Sequence, residues 1–207
     1  MNNGVFVTFE GIDGCGKSTQ VAEARRRIEK KGIPCLVTRE PGGTAIGESI
    51  RGVLLSPDNS EMCDPSEVLL YCAARAQHCR ELIVPALARG DVVLCDRFQE
   101  ATFAYQGFGR GFPLDVLGRI NDFATAGLEP SLTFVFDIDV GTSIARLKKT
   151  DKLPDRLESS GRDFYEKVRQ GYLTLASRHP ERIIVLPGTD AVDRLSQTVF
   201  EKIASLL

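Results

Sequence analysis

The sequence lacks any surplus of positive charge: 26 lysines and arginines stand against 28 aspartates and glutamates, a formal net charge of -2. Chains that hold nucleic acid or a membrane by electrostatics ordinarily carry a basic excess or block. Neither nucleic acid nor a membrane is therefore expected as a partner. No run approaches 18 uninterrupted apolar residues, and the start lacks the basic flank, long apolar region and small-residue cleavage site of a secretory signal. A cytoplasmic chain is expected. The six cysteines (Cys15, Cys35, Cys63, Cys72, Cys79, Cys95) include no C-x-x-C pair, and a chain of 207 residues needs no staples. They read as mostly buried free thiols. Zinc, with His78 beside Cys79 as its best case, would need closely spaced ligand pairs that are missing. Repeats and low-complexity linkers are absent too. With 43% hydrophobic and 26% charged residues, the composition predicts one globular domain over residues 1–207.

Short β-rich runs alternate with longer stretches of helical period. The runs are 5–9, 35–38, 92–95, 132–138 and 182–186, and their continuous hydrophobicity predicts strands buried on both faces of a parallel sheet covered by helices. That is an α/β architecture. Helices are expected from Lys17 to about Lys30, from Asp64 to about Ala88, and over 113–126, 141–148, 161–178 and 190–206. Gly32 closes the first. Asp64 is the expected cap of the second, with Pro65 at its first position and Glu67 three residues after the cap. Asp190 is expected to open the last. The interval 148–162, KKTDKLPDRLESSGR, is polar, turn-prone and charge-rich, and reads as a mobile lid.

After the first strand comes GIDGCGKS, which fits G-x-x-x-x-G-K followed by Ser or Thr. Bare backbone amides can wrap a phosphate chain only where no Cβ blocks close approach, and the next helix points its positive end at the anion. Lys17 is placed for the β and γ phosphates, and Ser18 for Mg²⁺. Gly11, Ile12, Asp13, Gly14, Cys15, Gly16, Lys17, Ser18 and Thr19 form the candidate ATP cradle. An N-K-x-D guanine reader and an L-S-G-G-Q signature are both missing, so GTPases and transport ATPases are not indicated. Asp13, Arg39, Glu40, Asp96 and Arg97 fall at or just after strand ends, where ligands bind in such sheets. Arg97 suits a bidentate grip on phosphate.

TREPGGT (38–44), YCAARAQ (71–77), DRFQEATFAYQGFGR (96–110) and the Asp-Arg-x-Glu segment at 155–158, taken with the glycine loop, resemble the bacterial type of thymidylate kinase, within the P-loop nucleoside monophosphate kinases. The likeness covers nearly the whole chain. It implies a five-stranded parallel sheet of order 2-3-1-4-5, phosphorylation of dTMP to dTDP with MgATP, and a homodimer through helices including 66–88. It implies that Arg39, Glu40, Pro41, Arg51 and Arg97 serve the acceptor nucleotide, and that Asp96 holds Mg²⁺ or its water. Tyr71 would stack on thymine, where many family members have phenylalanine, and Arg75 would bond its edge. Thr102 and Gln106 would lie near the base, and Tyr105 near the sugar 2′ position. Asp13 would sit near the acceptor 3′-hydroxyl or a Mg²⁺-bound water. On the residues alone, Tyr71 with Arg75 also fits a packed aromatic beside a solvated charge, and Tyr105 a packing aromatic.

One departure from the bacterial pattern concerns the cation that covers the transferring phosphoryl. Asp151-Lys152 stands where Arg-Gly is common, so Lys152 or Arg156 is the candidate, with Lys149 and Arg146 in reserve. The same residues also fit a kinase for another nucleoside monophosphate or a nucleoside, and a nucleotide sensor without turnover. The turn Pro187-Gly188-Thr189 is a candidate for the adenine site.

Overall fold

A six-residue run with apolar side chains on both faces has to lie inside a sheet, and VFVTFE does. In the computed structural model, which describes residues 4–149 and 161–207, β1 (Val5–Glu10) is wholly buried between β3 (Val92–Asp96) and β4 (Leu132–Asp137). β2 (Cys35–Arg39) flanks β3, and β5 (Ile183–Pro187) flanks β4, all parallel, in the order β2-β3-β1-β4-β5. The expected α/β fold and strand order are what the chain adopts. Burial on both faces holds only for the central three strands. The outer two expose Val37 and Val185, because each edge strand has helices over only part of its surface.

Helices α1 (Lys17–Glu29), α2 (Ala45–Leu55), α3 (Asp64–His78) and α4 (Val84–Ala88) precede β3, the last two joined by a wide π-type turn over Cys79–Ile83. After β3 come α5 (Gln99–Thr102), continued as π-type turns over Phe103–Gly109, and α6 (Leu114–Thr125). Helix α7 (Val140–Leu147) follows β4, α8 (Arg162–Arg178) precedes β5, and α9 (Val192–Ala204) ends the order. On α1 the buried Val21, Ala24 and Ile28 share one face, as do Leu195, Val199 and Ile203 on α9. These join Val5, Val7 and Phe9 in the main core, each large side chain contributing about 1.5–3 kcal/mol by burial. Phe6 points to the opposite face and packs on Ile83, Val93 and Phe98.

Three local expectations change. Asp64 is the first residue of α3 and Cys63 the capping position, a one-residue shift. Glu67 makes no capping box. It is fully buried and takes bonds from Gln106 and Arg110 instead. Asp190 does not open α9, whose flanking residue Ala191 offers no side-chain cap. Two helices escape the helical-period reading, α2 and the stretch 99–109. The second carries Gly107 and Gly109, and its tight packing explains small residues nearby: a Cβ on Gly171 of α8 would lie 2.8 Å from the Phe108 ring. Residues 150–160, and with them Lys152, Arg156 and most of the expected lid, lie outside the described residues.

Candidate active site

The strand ends converge on one cavity of about 460 Å³. Its walls come from the glycine loop and the start of α1 (Asp13, Gly14, Gly16, Lys17, Ser18, Thr19), the end of β2 (Arg39, Glu40, Pro41) and α2 (Arg51, Leu55). Helix α3 adds Tyr71 and Arg75, the end of β3 adds Asp96, Arg97 and Phe98, and the next helix adds Ala101, Thr102, Tyr105 and Gln106. Residues as far apart as Ser18 and Asp96, 78 positions in sequence, thus meet because parallel strands bring their carboxyl ends to one side. Gly11, Ile12 and Cys15 form the buried underside of the loop.

The loop owes its shape to glycine. Gly11 has φ +130°, and a Cβ there would lie 2.6 Å from the Phe136 carbonyl oxygen. Gly16, at φ +102°, precedes α1 with no side-chain cap, so the helix presents its first amides uncovered by a capping side chain. Lys17 Nζ donates to the carbonyls of Gly11 at 3.0 Å and Ile12 at 3.2 Å, which centres its charge in the loop. The Ser18 hydroxyl donates to Asp96 Oδ2 at 2.8 Å. A hydroxyl and a carboxylate so close form an oxygen donor pair suited to a hard cation that keeps water and phosphate ligands. Among the described residues no group of three or more His, Cys, Asp or Glu side chains could hold a metal unaided, and His78 spends both ring nitrogens on Thr38 and Glu40.

Arg97 departs from ordinary backbone geometry, with φ +72°, a conformation costing about 1–3 kcal/mol in a residue with a Cβ. Its guanidinium donates to Asp13 Oδ1 at 2.6 Å, the Gly11 carbonyl at 3.0 Å and the Tyr172 hydroxyl at 3.2 Å, above the Tyr105 ring. Nε and one Nη2 hydrogen have no partner among the described residues. Burial disfavours the Asp13 carboxylate, yet Arg97 and then Lys17 outweigh it and hold its pKa well below the usual range. Asp13 Oδ2 also accepts from Tyr105 at 3.2 Å and Tyr165 at 3.4 Å.

Behind Arg97 lies Glu10, which accepts from the Phe98 amide at 2.6 Å and the Tyr172 hydroxyl at 2.8 Å. Burial, then the neighbouring Glu100, pushes its pKa from 4.5 to about 8. The folded protein therefore keeps a proton that the unfolded chain releases, and the stability due to this group falls as pH rises from about 4.5 through about 8. Glu10→Gln cannot titrate, and is expected to flatten the fall in Tm between about pH 5 and pH 8. Thermal unfolding across that range checks this; parallel Tm profiles for the two proteins would contradict it.

Arg75 is buried and nearly saturated. Nε donates to Glu40 Oε2 at 2.8 Å, Nη1 to Thr102 Oγ1 at 2.9 Å and to Asn121 Oδ1, and Nη2 to the Phe98 carbonyl at 3.0 Å. One Nη2 hydrogen has no partner among the described residues. Glu40 uses its other oxygen on His78 Nδ1 at 3.0 Å, so its carboxylate orients Arg75. Gln106 Nε2 donates to Glu67 Oε1 at 2.9 Å, and Arg110 pins Glu67 through both its oxygens. A carboxylate can only accept, which fixes the amide and leaves the Gln106 carbonyl oxygen for the cavity.

Farther out, Arg39 pairs with Glu48 on the surface, and Arg51 donates to the Pro41 carbonyl at 2.9 Å. Arg146 bridges the Gly14 carbonyl at 3.0 Å and that of Gly188 at 3.1 Å, tying the loop to the turn after β5. Its cation is thus engaged on backbone carbonyls beside the candidate adenine turn. Sequence reasoning missed Glu10, Glu67, Phe98, Asn121 and Tyr172. Of these only Glu10 carried a signal, as an acid closing a buried apolar strand.

A model of the family described as Thymidylate kinase matches residues 9–199. A curated thymidylate kinase of Exiguobacterium sp. is 45% identical over 96% of this chain and 93% of its own length. The chain belongs to the thymidylate kinase family. A thymidylate kinase of Citrifermentans bemidjiense is 47% identical over 96% of this chain and 90% of its own. The crystal structure of thymidylate kinase from Ehrlichia chaffeensis superposes with a TM-score of 0.79 at 31% identity, covering 98% of this chain and 99% of that one. Thymidylate kinase membership accounts for the sheet order and the glycine loop together.

Proposed function

We infer that the chain phosphorylates dTMP to dTDP with ATP, the reaction its family membership implies, and we propose the following roles for its residues. The observation that carries them is that Arg75 and Gln106, both lining the cavity, keep one N–H donor and one carbonyl acceptor without a side-chain or backbone partner among the described residues. Thymine presents the complementary pair, the O4 acceptor beside the N3–H donor. Tyr71 would stack on the base, with Thr102 beside Arg75 and Tyr105 toward the sugar. Arg97, which lines the cavity and whose Nε has no partner among the described residues, would grip the acceptor phosphate, aided by Arg51 and Arg39.

The attacking phosphate oxygen is already anionic, so no general base is needed and the protein acts by positioning and by neutralising charge. The glycine loop and Lys17 would hold the ATP phosphates. Ser18 and Asp96 would hold Mg²⁺, which in kinases neutralises charge on the phosphate oxygens. The turn at Gly188, fastened by Arg146, would border the adenine. Lys152 or Arg156 would cover the transferring phosphoryl. Such a cation is worth about 10³- to 10⁵-fold, so joint alanine substitution is expected to lower kcat by at least about 10³-fold; two single variants both within about threefold of wild type would contradict the assignment.

Leu69, a large apolar side chain exposed on α3, supports a homodimer through helices including 66–88. Among the described residues no helix is long and apolar enough to cross a membrane. Initial rates of ADP release from MgATP test the reading. Release should require an acceptor and be fastest with dTMP, with dUMP lower by about 10- to 200-fold for its missing methyl group. ADP appearing equally without acceptor would favour a nucleotide sensor.

A further inference from the structure

Among the described candidate phosphate ligands Arg97 alone has a strained backbone, and a strained residue keeps a useful geometry only if its surroundings hold it there. Asp13 takes one Nη2 hydrogen, and the Gly11 carbonyl and the Tyr172 hydroxyl take the two on Nη1. With these three contacts the plane of the guanidinium is set. Tyr172 comes from α8, far from both the glycine loop and β3 in sequence, and its ring is almost wholly buried. Its hydroxyl is shared with Glu10 Oε2 at 2.8 Å, and the other Glu10 oxygen is tied to the Phe98 amide, one residue after Arg97. Glu10 thus braces the Arg97 segment twice, through main chain and through Tyr172.

We propose that Tyr172, backed by Glu10, is a positioning residue that holds the Arg97 guanidinium plane against the glycine loop so that its Nε edge meets the acceptor phosphate. This rests on the reading above in which Arg97 grips that phosphate. Whether Glu10 accepts from the phenol or, when protonated, donates to it, the phenol oxygen keeps a lone pair for Arg97. Without the hydroxyl, one Nη1 hydrogen of a buried cation loses its partner and the plane is free to turn about its remaining contacts. A hydrogen bond to a charged group is the interaction at stake, so the expected effect is about 10- to 100-fold.

The experiment is steady-state kinetics of Tyr172→Phe, which keeps the ring and removes only the hydroxyl, after wild type has been shown to use dTMP. Expected is a 10- to 100-fold fall in kcat/KM for dTMP with the KM for ATP within about twofold. Tyr172→Met also lacks the hydroxyl while filling the ring's space, and gives the same reading if the Phe variant folds poorly. Hydroxyl-free variants with kcat/KM for dTMP unchanged, or with ATP and dTMP parameters altered equally, would overturn the proposal. A wild type that does not use dTMP would instead overturn the function on which it rests.

Discussion

Arg97→Lys is expected to lower kcat/KM for dTMP by about 10³-fold, although the charge is kept. The guanidinium has two jobs that an ammonium cannot divide. Its inner edge is committed to Asp13, Gly11 and Tyr172, while its outer edge remains for the ligand. A lysine offers three donors on a point charge, and satisfying Asp13 at 2.6 Å would draw that charge inward, away from the acceptor phosphate. Purified Arg97→Lys assayed over a range of dTMP concentrations checks this, with the KM for ATP as control. A loss smaller than tenfold would mean that Arg97 is a structural partner of Asp13 and that other residues grip the phosphate.

The second large effect is discrimination against dCMP, expected at about 10⁴-fold relative to dTMP. Cytosine reverses both edge groups, placing an amino donor where thymine has O4 and a bare nitrogen where thymine has N3–H. Arg75 would then face a donor and the Gln106 oxygen a lone pair. Neither residue can adapt cheaply. Flipping the Gln106 amide would point its oxygen at the Glu67 carboxylate, which Arg110 holds in place. Arg75 is fastened through Glu40, Thr102, Asn121 and Phe98. Buried polar groups left unpaired explain why this discrimination should greatly exceed that against dUMP, which lacks only a methyl. Rates with dCMP within tenfold of those with dTMP would remove the base-edge assignment.

Much of this was legible in the sequence because it is local. A buried strand ending in Glu10, glycines at φ-positive positions and a lysine opening a helix make a phosphate loop whatever surrounds them. Asp96 and Arg97 could be placed because strand ends in a parallel sheet share one side. What stayed hidden depends on distant partners or on geometry without a period. Helix α2 begins with a Thr44 cap, but Gly47 and Gly52 blur its pattern. The stretch 99–109 winds wider than an α-helix, so its spacing matches neither standard period. Glu67 resembled a capping residue because capping is a local rule, whereas its partners lie about 40 residues away. Glu10 and Tyr172 are separated by 162 positions, and nothing in either segment announces the other.

The central claim is that the strand-end cavity moves a phosphoryl group from ATP to dTMP. Its most direct test is a product balance: purified chain, MgATP and dTMP, with ADP, dTDP and inorganic phosphate separated and quantified over time. Equal amounts of ADP and dTDP, with no accompanying phosphate, are predicted. ADP formed with phosphate and without dTDP would show that water, not dTMP, receives the group, and would contradict the account.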